Sequence, residues 1–320
     1  MVRIAYLGPE GTFTEAALLQ MTSAGLVPDQ GPDALRRLPI ESTPAALGAV
    51  RNGEADYACV PIENSIDGSV MATLDSLAIG STLQVFAETT LDVAFSIVVK
   101  PGRSATDVRT VAAFPAAAAQ VQKWLAAQLP GAELRPAYSN SDAARQVAEG
   151  KADAAVTSPL AVEHWRLAAL AEGVVDEPNA CTRFVLVGLP GPPPARTGAD
   201  RTSVVLRIDN VPGALLTALA EFGIRGIDLT RIESRPTRTE LGTYLFFVDC
   251  VGHIDDDAVT EALKALHRRC ADVRYLGSWS TRSPAGVLPP PADEAARWLA
   301  RLRIGKPQQP PDFGSGGFGR

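Results

Sequence analysis

Three short stretches of this sequence gather side chains that could do chemistry. In Gly8-Pro9-Glu10-Gly11-Thr12-Phe13-Thr14 the glycines let the backbone approach a ligand, Thr12 and Thr14 offer hydroxyls, and a helix start offers unpaired N–H groups to an anion. The phosphate-loop lysine and the G-x-G-x-x-G spacing are both missing, so nucleotide binding finds no support, and a capped turn would use the same residues. In Ile62-Glu63-Asn64-Ser65 a carboxylate, an amide and a hydroxyl follow an apolar run, a costly choice unless a ligand or a turn satisfies them. In Cys181-Thr182-Arg183-Phe184 a hydroxyl and a guanidinium head another apolar run. That guanidinium suits bidentate pairing with a carboxylate, whether a substrate's or the protein's own.

An internal repeat indicates which elements position these groups. Ser42-Thr43-Pro44-Ala45-Ala46 leads through Val50 and Gly53 to Ala55-Asp56-Tyr57-Ala58, and Ser139-Asn140-Ser141-Asp142-Ala143 leads in the same register through Val147 and Gly150 to Ala152-Asp153-Ala154-Ala155. Each copy predicts a helix with a Ser or Thr cap, a glycine past its end, and a strand after an Ala-Asp turn. A further strand, turn and helix precede each copy, over residues 2–7 and 14–21 in the first and 110–114 and 115–129 in the second. Alternating strands and helices imply a largely parallel sheet in each half. Ligands in such sheets sit at the carboxyl ends of strands, and two facing lobes would form a cleft.

Prolines and glycines concentrated over residues 189–198 mark a linker, since they sustain neither a helix nor a central strand. Domain boundaries follow: a first half over 1–189, with one lobe at about 1–78 and 181–189 and another at 79–180, a linker over 190–200, and a second domain over 201–281. In that domain, strands over 202–208, 228–234, 243–251 and 274–280 and helices over 212–222 and 255–269 give the βαββαβ split arrangement, with both helices on one face of an antiparallel sheet. Its edges invite pairing with another copy. The Pro- and Gly-rich tail, 282–320, is expected to be largely disordered except for an amphipathic helix over 292–302.

Hydrophobic residues are 46% of the chain and charged residues 21%, so it can bury substantial cores. A net charge of -6 with no basic block argues against nucleic acid and anionic membranes as partners. The first seven residues are too short an apolar run for a signal segment or a membrane span, which points to the cytoplasm. Four scattered cysteines and three unclustered histidines predict free thiols and no metal. Cys59 and Cys181 read as small buried hydrophobes.

Taken in order and spacing, Gly8 to Thr14, Val60-Pro61-Ile62-Glu63-Asn64-Ser65 and Thr182-Arg183-Phe184 resemble the prephenate dehydratase family. Asn210-Val211-Pro212-Gly213-Ala214-Leu215-Leu216 and Glu233-Ser234-Arg235-Pro236 resemble its regulatory ACT domain. The resemblance implies an α/β fold: a two-lobed catalytic domain of periplasmic-binding-protein type II, followed by a ferredoxin-like ACT domain. It implies a lyase that converts prephenate to phenylpyruvate, water and carbon dioxide without a cofactor. Thr182 would be the principal catalytic residue, assisted by Glu63, Asn64 and Ser65. Thr12 and Thr14 would line the cleft, with Arg183, Phe184 and Ser139 as further substrate-binding residues. Asn210, Pro212, Gly213, Ala214, Leu215, Glu233, Ser234, Arg235 and Pro236 would bind L-phenylalanine as effector in a homo-oligomer, dimer or tetramer. Arogenate dehydration, or amino-acid sensing without catalysis, is the competing function. Relatives often carry His-Pro-Gln where this chain has Phe114-Pro115-Ala116, so any polar contribution from that corner is absent or replaced here. Thr182 is expected to donate a hydrogen bond to the leaving hydroxyl, with Glu63 or a water as its relay and Arg183 or helix N–H groups holding the substrate's side-chain carboxylate.

Overall fold

Three parallel strands begin the first sheet: β1 (Val2–Leu7), β2 (Leu35–Ile40) and β3 (Tyr57–Asn64), linked by α1 (Phe13–Ser23) and α2 (Thr43–Arg51). A two-residue β4 (Gly68–Ser69), α3 (Met71–Ala78) and β5 (Gln84–Asp92) follow. The second sheet comprises β6 (Phe95–Val99), β7 (Thr110–Ala113), β8 (Glu133–Pro136), β9 (Ala154–Thr157) and β10 (Ala168–Val174). Around it lie α4 (Pro115–Ala119), α5 (Gln122–Gln128), α6 (Asn140–Ala148) and α7 (Pro159–His164). Then β11 (Cys181–Gly188) returns to the first sheet, giving strand orders β2-β1-β3-β11-β5 and β10-β6-β9-β7-β8. The structure, a computed structural model, describes residues 1–28, 35–238, 240, 242–281, 286–289 and 294–305.

The repeat folds the same way twice. Ser42 and Ser139 cap α2 and α6, accepting from Ala45 N and Asp142 N, and Gly53 and Gly150 follow the helices with φ of 73° and 76°. Asp56 accepts from Arg3 N at 2.7 Å, and Asp153 accepts from Arg109 N at 3.0 Å and Thr110 N at 2.9 Å. The repeated aspartate thus pins the start of β1 or β7, the strand beside its own.

Three expectations are corrected. Each sheet is mixed, because the strands bordering the parallel trio run against it: β11 is antiparallel to β3 and β5, and β6 to β9 and β10. Since β5 belongs to the first sheet, the chain crosses between lobes at residues 93–94, not at 79. The single helix expected over 115–129 is split into α4 and α5, because the 176 loop inserts at the break. Asp176 N donates to Gln120 O at 2.7 Å, and its carboxylate accepts from Lys123 N at 3.1 Å.

After the linker, β12 (Asp200–Arg207), α8 (Ala214–Gly223), β13 (Leu229–Pro236), β14 (Tyr244–Val251), α9 (Asp257–Arg269) and β15 (Asp272–Ser280) follow the anticipated βαββαβ order, as a sheet β13-β14-β12-β15. One face packs under the helices through Val204, Leu206, Phe222, Val248 and Leu266. Val205, Phe247, Leu276 and Trp279 on the other face merge with Leu83, Val85, Val185 and Val187 of the first lobe into one core. Any side chain at Gly277 would meet Val85 O at 2.4 Å, so only glycine lets β15 cross β5 this closely. The linker is docked, with Gly191 N donating to Gln84 at 3.2 Å and Arg196 pairing with Asp256 at 2.7 Å. In the tail, α10 (Glu294–Arg303) falls where the amphipathic helix was anticipated. The disorder expected around it concerns residues 282–285, 290–293 and 306–320, outside the described residues. All four cysteines are free; burial pushes the Cys59 thiol up, whereas Cys181 is only half-buried.

Candidate active site

Antiparallel pairing brings two of the chemistry-bearing stretches together, because the tail of β3 lies beside the head of β11. Asn64 is opposite Thr182 and Glu63 opposite Arg183. Unbroken alternation from Phe184 opposite Pro61 would instead set Glu63 against Thr182. A register shift between Arg183 and Phe184 inserts one extra residue into β3, and such a bulge re-aims the side chains beyond it. Asn64 and Thr182 therefore share the α1 face, which Phe184 and Leu186 continue into the core. Glu63 and Arg183 share the opposite face, toward the second domain.

The Asn64 amide has only one satisfying orientation. Its Oδ1 accepts from Ile66 N at 2.8 Å and Asp67 N at 3.0 Å, which turns Nδ2 to Thr182, where it donates to Oγ1 at 2.8 Å. With its oxygen accepting from Asn64, Thr182 keeps its own O–H for another acceptor. The pair thus leaves the Thr182 O–H to donate to a further acceptor at the end of the sheet.

Other anticipated site residues do different work. Ser65 donates to Asn179 O at 3.2 Å and accepts from Cys181 N at 2.9 Å, so its hydroxyl latches the loop entering β11 rather than aiding Thr182. Arg183 is buried, and its guanidinium is taken up by Glu63 at 2.9 Å, Glu88 at 3.2 Å and Asp249 at 2.9 Å. Burial alone would lower its pKa, but these three carboxylates raise it. A substrate carboxylate would have to displace them, so the anchoring role expected of Arg183 is corrected to a structural one. Phe184 is a core residue, 2% exposed, and does not reach a ligand. Glu63, on the Arg183 face, is not positioned as a relay to Thr182.

The loop expected to cradle a ligand instead seats the lobes on one another. Thr12 caps α1, donating to Leu7 O at 3.1 Å and accepting from Glu15 N at 3.3 Å, and Thr14 is buried within the helix. Ser141 and Ser158 of the second lobe donate to Glu10 O and Gly11 O. The Phe13 and Phe95 rings meet edge-on at 5.6 Å. Gly11, with φ of +79°, leaves room for Ala161, which a Cβ would approach to 3.1 Å. Ser139 caps α6 and lines a cavity of about 540 Å³ with Gly8, Glu41, Tyr138, Arg145 and Trp165. Sequence reading missed Asp249, which reaches Arg183, the neighbour of Thr182, from the other domain.

Of the expected effector residues, Asn210, Pro212 and Gly213 form an exposed turn into α8, with Ala214 and Leu215 half-buried in its first turn. Alternation along β13 divides the rest. Ser234 and Pro236 are exposed, whereas Glu233 accepts from Ser69 at 3.1 Å and Arg235 clasps Asp75 through two bonds of 2.9 Å. Those two side chains hold the domain to β4 and α3. Among the described residues, no group of His, Cys, Asp or Glu is arranged to hold a metal ion, and no helix is long and apolar enough to cross a membrane.

A two-lobed α/β enzyme with a ligand-sensing domain docked on one lobe is the class that this fold and site define. The chain belongs to the prephenate dehydratase family: residues 4–191 match that family and residues 202–268 match the ACT domain. It is 82% identical over 309 residues to the prephenate dehydratase of Mycobacterium tuberculosis H37Rv, covering 97% of this chain and 96% of that one. The crystal structure of the Arthrobacter aurescens prephenate dehydratase in complex with L-Phe is 41% identical, with a TM-score of 0.84 over 95% of this chain and 100% of that one. A structure described as GqqA, a novel type of quorum quenching acylase, is 26% identical, with a TM-score of 0.75 over 89% of this chain and 98% of that one.

Proposed function

We propose that Thr182 donates the hydrogen bond that carries the hydroxyl away from prephenate, with Asn64 orienting it. Prephenate carries a ring carboxylate and, on the opposite ring carbon, a hydroxyl. As the bond to the carboxylate breaks, its electron pair enters the ring, the C–O bond breaks, and the hydroxyl leaves as water once it gains a proton. Aromatisation supplies the driving force, so the protein's part is to favour the leaving group. A threonine is too weak an acid to surrender its proton outright, and a water behind it supplies the relay. A well-aimed donor in a water-poor site contributes roughly 3 to 4 kcal/mol. The single observation that supports this reading is the Asn64-to-Thr182 bond, which occupies a lone pair of the hydroxyl oxygen and leaves its O–H to donate elsewhere.

L-phenylalanine is the proposed effector, bound where Asn210 to Leu215 turn into α8. The exposed Val211, Leu216, Ile232 and Tyr244 nearby favour pairing with a second copy, and the cytoplasm is the proposed compartment. The identity of 82% to a curated dehydratase against 26% to the acylase is the reason dehydration is preferred. Ultraviolet detection of phenylpyruvate formed from prephenate, run beside arogenate and with added L-phenylalanine, tests the reading. Turnover of prephenate that L-phenylalanine suppresses is expected; an inert protein, or one acting on arogenate alone, would contradict it.

A further inference from the structure

Arg183 follows Thr182 directly and faces the opposite way, into a cluster that spans the domain boundary. Arg183, Arg201 and Arg231 face Glu63, Glu88 and Asp249, three charges of each sign. Half of these groups belong to the ACT domain: Arg201 on β12, Arg231 on β13 and Asp249 on β14. Asp249 is 1% exposed. It accepts from Arg183 at 2.9 Å, from Arg231 at 2.9 and 3.1 Å, and from the Ser203 hydroxyl at 2.7 Å. The Trp279 indole N–H, also from this domain, donates to Glu88 at 2.9 Å.

We propose that Asp249 is a positioning residue for the dehydration step: through Arg183 it fixes the head of β11, and with it the aim of the Thr182 hydroxyl. Three observations join into this chain of action. A β-strand backbone couples adjacent residues rigidly while sending their side chains to opposite faces, so clamping Arg183 on one face sets Thr182 on the other. The same guanidinium holds Glu63, which neighbours Asn64 just past the bulge, so both partners of the Asn64–Thr182 pair depend on it. Among the described residues, Asp249 is the ACT-domain carboxylate that contacts that guanidinium directly, whereas Glu88 on β5 bridges it to Arg201 and Trp279 of the same domain. A shift of the ACT sheet therefore reaches Arg183 directly through Asp249, beside the indirect bridge through Glu88, giving the proposed effector a physical route to the site.

The proposal rests on Thr182 being the donor, and its test separates the two. Asp249→Asn removes the carboxylate charge but strands Arg231; adding Arg231→Met restores equal numbers of each charge without restoring the clamp on Arg183. In the full-length protein, Asp249→Asn is expected to lower kcat at least about fivefold with KM within about twofold. The charge-balanced Asp249→Asn/Arg231→Met variant is expected to recover thermal stability while kcat stays low. A residue that merely neutralises buried charge would show kcat recovering along with stability, and this result, or a single variant with wild-type kcat, would overturn the proposal. If Asp249→Asn does not fold, the double variant alone decides between these outcomes. Wild-type protein that makes no phenylpyruvate would count instead against the functional reading itself.

Discussion

The two copies of the repeat share a scaffold but not a chemistry. Each has a serine-capped helix, a left-handed glycine and an aspartate that pins the neighbouring strand. The strands that follow diverge. β9 stops after four residues and pairs with β6 without a register shift, and the Ser158 after it seats the lobes together. β3 runs for eight residues, bulges beside β11, and ends on the Asn64 that orients Thr182. What duplication supplied is a way of holding a strand end. The candidate reactive group came from β11, which borders β3 as β6 borders β9, and from one extra residue that turned an amide toward it.

Removing the amide breaks this contrast most severely. Asn64→Leu should lower kcat at least about tenfold with KM little changed, because Thr182 loses its orienting donor. Steady-state kinetics on prephenate check this, and a normal kcat would mean that the bulge does not serve the reaction. Smaller and symmetrical effects are expected from the shared scaffold. Ser42→Ala and Ser139→Ala should each cost about 1 kcal/mol of stability, measured by urea denaturation, with kcat unaffected; strongly unequal losses would mean that the copies are not mechanically equivalent.

The subtlest comparison concerns acid. The Arg3 side chain and backbone N–H lower the pKa of Asp56, and the Thr110 hydroxyl and Arg109 N–H lower that of Asp153. A carboxyl depressed in the folded state stabilises it above the unfolded pKa, near 3.8 here, and that contribution disappears as pH falls through the folded value. Asp56→Asn and Asp153→Asn should each therefore flatten the acid limb of stability against pH below about 4. Flattening by only one of them would separate the two aspartates.

Much of this fold was legible in the sequence because local signals carry it. Caps, post-helical glycines and the linker prolines each act within a few residues, and the ACT domain announced its βαββαβ order through alternation. The misreadings share a long-range cause. Nothing in the composition of 57–64 marks the bulge, since one extra residue is indistinguishable from a longer strand, so the face that Glu63 takes could not be told from that of Asn64. The partners of Arg183 lie far away in sequence, one of them in another domain. Likewise, the break between α4 and α5 is made by Asp176, a residue outside the helix altogether. Thr182 was identifiable as a hydroxyl heading a strand, but its amide partner depended on Ile66 and Asp67 orienting Asn64 on a neighbouring strand.

Thr182→Val provides the most direct test of the account, because it removes the hydroxyl while keeping the side chain's shape. Measured on prephenate beside the wild type, kcat is expected to fall at least about tenfold while KM and the thermal midpoint hold. A variant that turned over at the wild-type rate would show that the group leaves without this donor.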